Sequence, residues 1–387
     1  MSPLGSDLGV EAEEIVKLRG ATGPGSVRGL ATRAWLAVAA LSSAACAAPE
    51  VADPLPDVSA LGSQTTRVTL DDDCMRALRD CCCPGWTHYA VFDALFLQRN
   101  AQIGDRPLVV NLDTGAAAIS TQDLQPSIGN GVRVFYGSLV TDSFGWEIGY
   151  LGVYGMFGEA TATGNQNLEM APPLGPSIPA LDFADSARAT YLSTLSMAEF
   201  NLFRYDCCTG CGPYCRENCH CVDWLAGFVW AGLDERAGLT TLCCDPPEPT
   251  RYAVRSSTNY FGPQIGMRGR RQWNRWAVEG FWKTAVCGTS AYQAADPILS
   301  GGDVVVRDAQ SATTGGVAFI GSLNGTLVYR LTDVWGIRAG YNLIWLTNGA
   351  LAPVQWDFTD TGSSGSRIND NGTLFLSGVN LGLEARW

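Results

Sequence analysis

The chain has 387 residues, of which 46% are hydrophobic and 17% are charged, with 26 Lys and Arg against 38 Asp and Glu. This composition supports a large core and excludes a globally disordered chain. The net charge of -12 argues against a nucleic-acid partner, which needs a basic surface. Only His88 and His220 are histidines, so a His-rich catalytic metal site is not expected, and the sequence predicts no cofactor.

Residues 28–48 have the features of a secretory signal peptide. Arg28 and Arg33 precede the apolar residues 34–41, and a run of small residues follows at 42–48. A basic start, a short apolar stretch and a small-residue exit are the parts of such a signal. We therefore predict a disordered N-terminal extension and cleaved signal peptide at 1–48, and a cysteine-containing linker at 49–85. The folded domain is predicted at 86–387.

The rest of the chain alternates between apolar and polar residues with a period of two. In the last segment Val379, Leu381 and Leu383 share one face, whereas Asn380 and Glu384 lie on the other. Successive side chains of a strand point to opposite faces, so the pattern predicts strands with one apolar side and one polar side. About ten such strands are predicted, around residues 87–98, 131–137, 146–154, 196–205, 223–234, 259–270, 274–283, 317–330, 335–345 and 374–387.

The predicted strands are long, and several are joined by tight turns, as at 142–145 and 332–333. Strands of roughly 10 residues cross a bilayer when tilted, whereas sandwich strands usually have about 5–6. Aromatic residues at the strand ends fit an interfacial girdle: Trp146, Tyr154, Trp276, Tyr329, Trp335, Trp345 and Trp387. We predict an all-β protein, a transmembrane antiparallel β-barrel of about 10–12 strands with long surface loops at 99–130, 157–190, 286–316 and 347–373. A secreted soluble β-sandwich is the alternative.

The polar faces are predicted to point into the lumen, because an Arg or Lys facing lipid near the midplane costs roughly 2–4 kcal/mol. The predicted pore-lining residues are Asp93, Arg133, Glu147, Glu199, Gln264, Arg268, Arg275, Glu279, Lys283, Arg338, Asn342, Glu384 and Arg386. They either line a narrow porin-like channel for small hydrophilic solutes or pair as a salt-bridge network in a closed barrel that anchors surface loops for adhesion or envelope structure. A barrel of ten to twelve strands lies between the filled and open sizes. Interior glycines are expected to leave room in the lumen: Gly137, Gly149, Gly266, Gly340 and Gly382.

No hydrolase, metalloprotease or phosphate-loop motif occurs in the sequence, so no catalytic residue is predicted. The 14 cysteines are the unusual feature, and six of them fall in a predicted loop at 206–222: Cys207, Cys208, Cys211, Cys215, Cys219 and Cys221. Disulfides are the expected state in an exported protein. The spacing also permits a soft metal such as zinc, and free thiols are the third alternative. Such a loop would be stapled at the membrane surface.

Eight segments in order resemble those of β-barrel porin family seven, an outer-membrane family of planctomycete-type bacteria. They read FDALFLQR at 92–99, GVRV at 131–134, WEIGY at 146–150, EFNLFR at 199–204, LAGF at 225–228, GPQIG at 262–266, ALAPVQ at 350–355 and GVNLGLEARW at 378–387. The resemblance covers residues 86–387 and implies an outer-membrane barrel.

The chain ends on Trp387 after an amphipathic strand. This ending resembles the signal that the barrel assembly machinery reads, since a docking partner can pair with a free strand edge. The expected partners are therefore outer-membrane lipid and that machinery, with a homo-oligomer left open.

Overall fold

The computed structural model describes residues 87–101, 104–141, 144–171, 179–207, 220–244, 248–300, 304–359, 361 and 363–387. The predicted segments at 1–48 and 49–85 lie outside the described residues. So do the four cysteines in the middle of the cysteine-rich loop, Cys208, Cys211, Cys215 and Cys219.

Ten long strands form a closed antiparallel barrel. They are β1 His88–Ala101, β4 Gly129–Thr141, β5 Phe144–Met170, β6 Ala184–Cys207, β7 His220–Cys243, β8 Glu248–Trp273, β9 Trp276–Ala295, β12 Gln310–Arg330, β13 Trp335–Gly349 and β14 Gly372–Arg386. Each strand pairs with the next one in chain order, and β14 closes the ring against β1, where Asp93 lies opposite Gly382. The predicted barrel is confirmed, with ten strands.

Short elements complete the described fold. They are β2 Pro107–Asn111, β3 Ala117–Ser120, β10 Ile298–Ser300, β11 Val304–Arg307 and a one-turn helix, α1 Pro179–Asp182. β2 and β3 form a hairpin that adds to β5, and β10 and β11 form one that adds to β8. None of the described helices has the length and hydropathy to cross a membrane.

The two ends of the barrel differ in their connections. One end, here called the termini end, carries the start of β1, the end of β14 and the short connections β4–β5, β8–β9 and β12–β13. The other, the loop end, carries the long connections and the short elements.

The connection between Cys207 and His220 joins β6 to β7 at the termini end, whereas Cys243 and Cys244 lie at the loop end and are joined to each other in a disulfide. The cysteine-rich segment therefore leaves the barrel on the side opposite the long loops.

The strands extend well beyond the predicted segments at the loop end. Residues 157–170, 184–190, 286–295 and 310–316, expected to be loops, continue the strand ladders. The predicted loops are wrong at these positions because pairing between strands needs only backbone hydrogen bonds. Above the apolar belt the outer face carries polar residues such as Glu159, Thr161 and Thr163, so the alternation of hydrophobicity disappears while the strand does not.

The alternation does set the two faces of the barrel. Phe261, Val317 and Trp335 point outward and are more than half exposed, whereas Asp93 and Asn201 point inward and are fully buried. A continuous apolar belt of this kind is unfavourable in water and marks contact with lipid or a partner.

Candidate functional site

The lumen near the termini end contains a dense network of charged side chains. Twelve of the thirteen residues predicted as pore-lining point into this space, on eight of the ten barrel strands. Arg275 is the exception: it lies exposed in the turn between β8 and β9, where its carbonyl accepts a hydrogen bond from the Arg330 amide. Its place in the alternation matched the lumen face, but the strand ends before it, so the prediction does not hold for Arg275.

Arg338 lies at the centre of one half of the network. Its guanidinium contacts Glu384 at 2.7 Å, Glu279 at 3.4 Å and Asp93 at 3.4 Å. Arg270 and Arg386 bind the same two glutamates, at distances of 2.8–3.3 Å.

Asp93 also pairs with Arg133 from the neighbouring strand β4. The Arg133 guanidinium in turn donates to the Asn342 amide oxygen at 2.7 Å. Every acid in this half therefore touches at least two cations.

Glu147 lies at the centre of the other half. It accepts from the Tyr89 hydroxyl and pairs with Arg268 at 2.9 Å and Lys283 at 3.3 Å. Arg268 reaches Asp223 at 2.8 Å.

Lys283 also reaches Glu199 at 2.6 Å, and the Gln264 amide donates to the same Glu199 carboxylate at 2.9 Å. This half thus links strands on opposite sides of the barrel through single side chains.

The network balances its charge. Its acids are Asp93, Glu147, Glu199, Asp223, Glu279 and Glu384, and its bases are Arg133, Arg268, Arg270, Lys283, Arg338 and Arg386, six of each. We call these twelve residues the ionic cluster. Their side chains are at most 18% exposed. Burying a charge is costly unless it is paired and hydrogen-bonded. Because acids and bases are equal in number, each buried charge in the ionic cluster can be paired without bulk water.

Sequence reasoning missed two charged members, Asp223 and Arg270. Both obey the same period-two rule, since Asp223 lies one residue before the outward-facing Trp224, and Arg270 two residues after Arg268 on the same face. Asn324 was missed as well, whereas Asn380 lies on the predicted polar face: Asn324 donates to Asn342 at 2.8 Å, and Asn342 donates to Asn380 at 2.9 Å. The pattern locates all four, but it does not say which of them pair.

The interior glycines do not leave the expected room. A Cβ atom at Gly149 would lie 2.1 Å from the Phe135 ring, and one at Gly137 would lie 2.3 Å from the Tyr89 ring. At Gly382 it would meet the Asp93 carboxylate at 2.1 Å. The space above these glycines is thus filled by neighbouring side chains, and the glycines allow close packing of the lumen.

On the loop-end side of the ionic cluster, the side chains that fill the lumen are mostly apolar. Side chains from most barrel strands fill its middle, among them Leu95, Leu195, Leu233, Ile344 and Leu376. One charged pair, missed by the sequence reasoning, crosses this region: Arg99 and Glu235 meet at 2.5 Å with both side chains fully buried. The Tyr191 ring lies 4.9 Å from the Arg99 guanidinium.

The described residues of segment 350–371, here called the loop plug, fold into the loop end of the barrel. The Ala352 amide donates to Glu235 at 2.8 Å and the Ala350 amide donates to the Thr258 hydroxyl at 3.0 Å. Trp356 is 1% exposed, and its indole donates to the Tyr252 carbonyl at 3.3 Å. The plug is thus pinned to the barrel wall by polar contacts.

Apolar residues from the other connections pack with the loop plug in one core. This core includes Leu108 and Val109 of β2, Ile119 of β3, Leu181 of α1 and Phe358 of the plug. Segments far apart in the chain therefore cover the loop end together.

Small cavities remain between the described side chains of the lumen. Two of them, beside Phe135 and Phe281, have volumes of ≈ 30 and ≈ 20 Å³. Spaces of this size hold a few water molecules, and they are too small for a sugar or an amino acid.

The carboxyl-terminal Trp387 closes the strand ring at the termini end. Its carbonyl accepts from the amides of Thr87 and His88 at 2.7 and 2.8 Å, and its ring stacks on His88 at 5.9 Å between centroids. Since β14 pairs on both sides in the barrel, its edge is free only before closure. The prediction that Trp387 is an assembly signal therefore concerns the unfolded or partly folded chain.

The cysteine-rich segment is described only at its ends. Cys207 lies opposite Cys221 in the last described pair of the β6–β7 ladder. Among the described residues, no three His, Cys, Asp or Glu side chains are arranged to hold a metal ion. Disulfide and metal binding at the remaining cysteines both stay predictions.

No protein-family model and no curated protein sequence matches the chain, so the resemblance to β-barrel porin family seven stays a sequence-based expectation. Among solved structures, the outer-membrane protease OmpT from Escherichia coli is similar with a TM-score of 0.40 and 10% identity, over 78% of this chain and 97% of that chain. A FadL homologue from Pseudomonas aeruginosa has a TM-score of 0.23 and 9% identity, over 78% and 90%. For the Pseudomonas putida toluene transporter TodX the values are 0.19 and 11%, over 80% and 91%. Likeness at this level assigns neither proteolysis nor transport to this chain.

Proposed function

We propose that the protein is a closed outer-membrane β-barrel that anchors a set of ordered loops at the cell surface. The observation that carries the proposal is the filled lumen: a charge-balanced ionic cluster lies below an apolar layer, and the loop plug covers both. Ten strands lie between the filled and open barrel sizes, and here the strand side chains and the loop plug together fill the lumen.

The outer belt supports the location. Bands of aromatic and aliphatic side chains face outward, as lipid-facing strands require. Three of the four strand connections at the termini end are short turns, and four of the five at the loop end are long. This asymmetry favours a periplasmic termini end and an extracellular loop end. This proposal includes export through the signal peptide at 28–48, recognition of Trp387 by the barrel assembly machinery and assembly as a homo-oligomer.

Porin-like diffusion of small hydrophilic solutes is the weaker candidate. It needs a continuous aqueous path, and the polar residues expected to line that path are instead bound to one another. A water-filled lumen would leave several of these charges solvated and exposed, whereas Asp93, Arg133 and Arg338 are at most 2% exposed.

Single-channel conductance in a planar lipid bilayer tests the proposal. Refolded protein that shows heat-modifiable gel migration is expected to insert and to remain electrically silent. Stable conductance steps whose ion preference shifts in Lys283→Glu would overturn the closed barrel and support the porin. A well-folded sample that stays soluble without detergent would overturn the membrane location.

Epitope tags test the orientation. A tag inserted between Thr114 and Gly115, in the β2–β3 hairpin, is expected to be stained on intact cells. A tag between Thr332 and Asp333, in the β12–β13 turn, is expected to be stained only after the outer membrane is permeabilised. The reverse result would place the ordered loops in the periplasm.

A further inference from the structure

Three arginines surround a hollow on the outer wall of the barrel near the loop end, away from the lumen. In one row across the strands, Leu192 lies opposite Arg236 and Arg236 lies opposite Arg255. Two residues further along, Thr190 lies opposite Gly238 and Gly238 opposite Ala253. The third row places Thr240 opposite Arg251. Small residues thus lie between two rows that carry arginines.

The hollow has a volume of ≈ 260 Å³. Gly238 and Ala253 form its floor, and Arg236, Arg251 and Arg255 are among its walls. Phe157 and Leu192 continue the lining on the β5 side, and both are exposed apolar side chains. We call this feature the arginine hollow.

The charges of the arginine hollow are incompletely compensated. Asp296 also lines the hollow, and Arg255 pairs with it at 3.7 Å. Arg236 and Arg251 have no ion pair among the described residues, and the nearest acid along β7 on that face is Asp234. Like charges directly opposite on neighbouring strands are destabilising. The Arg236–Arg255 pair therefore favours an anion between its guanidinium groups.

The arginine hollow lies between the apolar belt and the loop end of the barrel. Trp230 lies opposite Phe261 in the belt, and Arg236 lies opposite Arg255 six residues further along β7. At about 3.3 Å per residue and a strand tilt of about 40°, the arginines lie roughly 15 Å higher. Phe157 and Leu192 carry apolar surface up to the edge of the hollow. A ligand with acyl chains on the belt and a negative group at this height fits both features.

We propose that the arginine hollow binds a phosphate group on the sugar headgroup of an outer-leaflet glycolipid. Guanidinium groups bind phosphate with two parallel charge-assisted hydrogen bonds. The Thr190 hydroxyl also lines the hollow, where it donates to the Gly238 carbonyl at 3.4 Å. A phospholipid with a small headgroup is less suitable, because its phosphate lies close to the acyl chains. The inference depends on the outer-membrane location and is independent of whether the lumen is closed.

Native mass spectrometry of the full chain in a neutral detergent tests the inference. The probes are a rough lipopolysaccharide that carries lipid A and phosphorylated core sugars, the same glycolipid after enzymatic removal of its phosphates, and inorganic phosphate alone. The wild type is expected to retain the phosphorylated glycolipid. Arg236→Gln/Arg251→Gln is expected to bind it at least about tenfold more weakly, since each replacement removes a charge-assisted hydrogen bond.

The matched control is Arg204→Gln/Arg271→Gln, which removes two exposed outer-face arginines of β6 and β8 near the termini end. This variant is expected to bind like the wild type, and heat-modifiable migration verifies that both variants fold. Equal binding by the test variant, or by the dephosphorylated glycolipid, would overturn the inference. Displacement of the glycolipid by equimolar inorganic phosphate would also overturn it, in favour of a free-anion site. Loss of glycolipid binding in a folded, silent barrel would leave the proposed function intact.

Discussion

The two halves of the lumen are filled in different ways. Near the termini end the filling is ionic, and all its charged members belong to the barrel strands. Near the loop end the filling is largely apolar and includes residues from connections that lie far apart in the chain. In this barrel, strand side chains fill the lumen near the termini end by balancing their charges. Near the loop end, the lumen is filled only when connections far apart in the chain fold together. We expect the loss of one ion pair to destabilise the whole ionic cluster, whereas a change near the loop end is expected to loosen only the loop plug.

The largest expected effect is from Arg338→Met in the ionic cluster. This change leaves Glu279, Glu384 and Asp93 short of a cation in a buried site, and breaking one partner of a buried pair costs about 3–5 kcal/mol. Urea unfolding in detergent micelles, followed by tryptophan fluorescence, measures the loss. Arg275→Met is the control and is expected to change the free energy of unfolding by less than about 0.5 kcal/mol. A cost below about 1 kcal/mol for Arg338→Met would indicate a solvated lumen.

Glu235→Gln is expected to have the next largest effect, about 3 kcal/mol, because Arg99 loses its counter-charge in the apolar layer. The glutamine keeps an acceptor for the Ala352 amide, so the effect reports mainly the charge. The double variant Arg99→Met/Glu235→Gln is expected to be more stable than Glu235→Gln alone. Urea unfolding of the wild type, Arg99→Met, Glu235→Gln and the double variant completes a double-mutant cycle. Additive losses in the double variant would contradict a direct pairing.

Trp356→Phe is expected to loosen the loop plug without opening the strand ring. The change leaves the Tyr252 carbonyl without its indole donor, at a cost of about 1–2 kcal/mol. Faster proteolytic cleavage within 350–371, with unchanged heat-modifiable migration, is the expected result. If migration changes in parallel with cleavage, then the plug and the ionic half are one cooperative unit.

The smallest expected effect is the pH response of the loop plug at Asp357. Partial burial opposes ionisation, but hydrogen bonds from Thr359 and the Gly365 amide outweigh it and lower the pKa of the Asp357 carboxyl below its usual value. A lowered pKa in the folded state means that the ionised form stabilises the plug above the unfolded-state pKa of about 4. This stabilisation is lost as the pH falls through the folded-state value.

Hydrogen exchange of the amides in 357–371, corrected for intrinsic rates, measures this response. Asp357→Asn is expected to show a flatter pH profile than the wild type. An identical profile would mean that another group governs the acid response of the plug.

The amino-acid sequence alone determined the part of each barrel strand that carries the outer apolar belt. Strict alternation in strands such as β13 and β14 fixed which residues face outward and which face inward, because a one-residue shift exchanges the two faces. It therefore located Asp93, Glu147, Arg338 and most of the ionic cluster.

The tertiary structure decided what those residues do. The period-two pattern predicts which face a residue lies on but not its partner, so it left open whether Arg338 and Glu384 line water or bind each other. In the structure their side chains meet at 2.7 Å. The loop plug was also beyond the sequence, since its contacts join residues more than a hundred positions apart, such as Trp356 with Tyr252 and Ala352 with Glu235. Local sequence patterns determine which residues form the barrel wall, whereas packing between segments far apart in the chain determines how the lumen is filled.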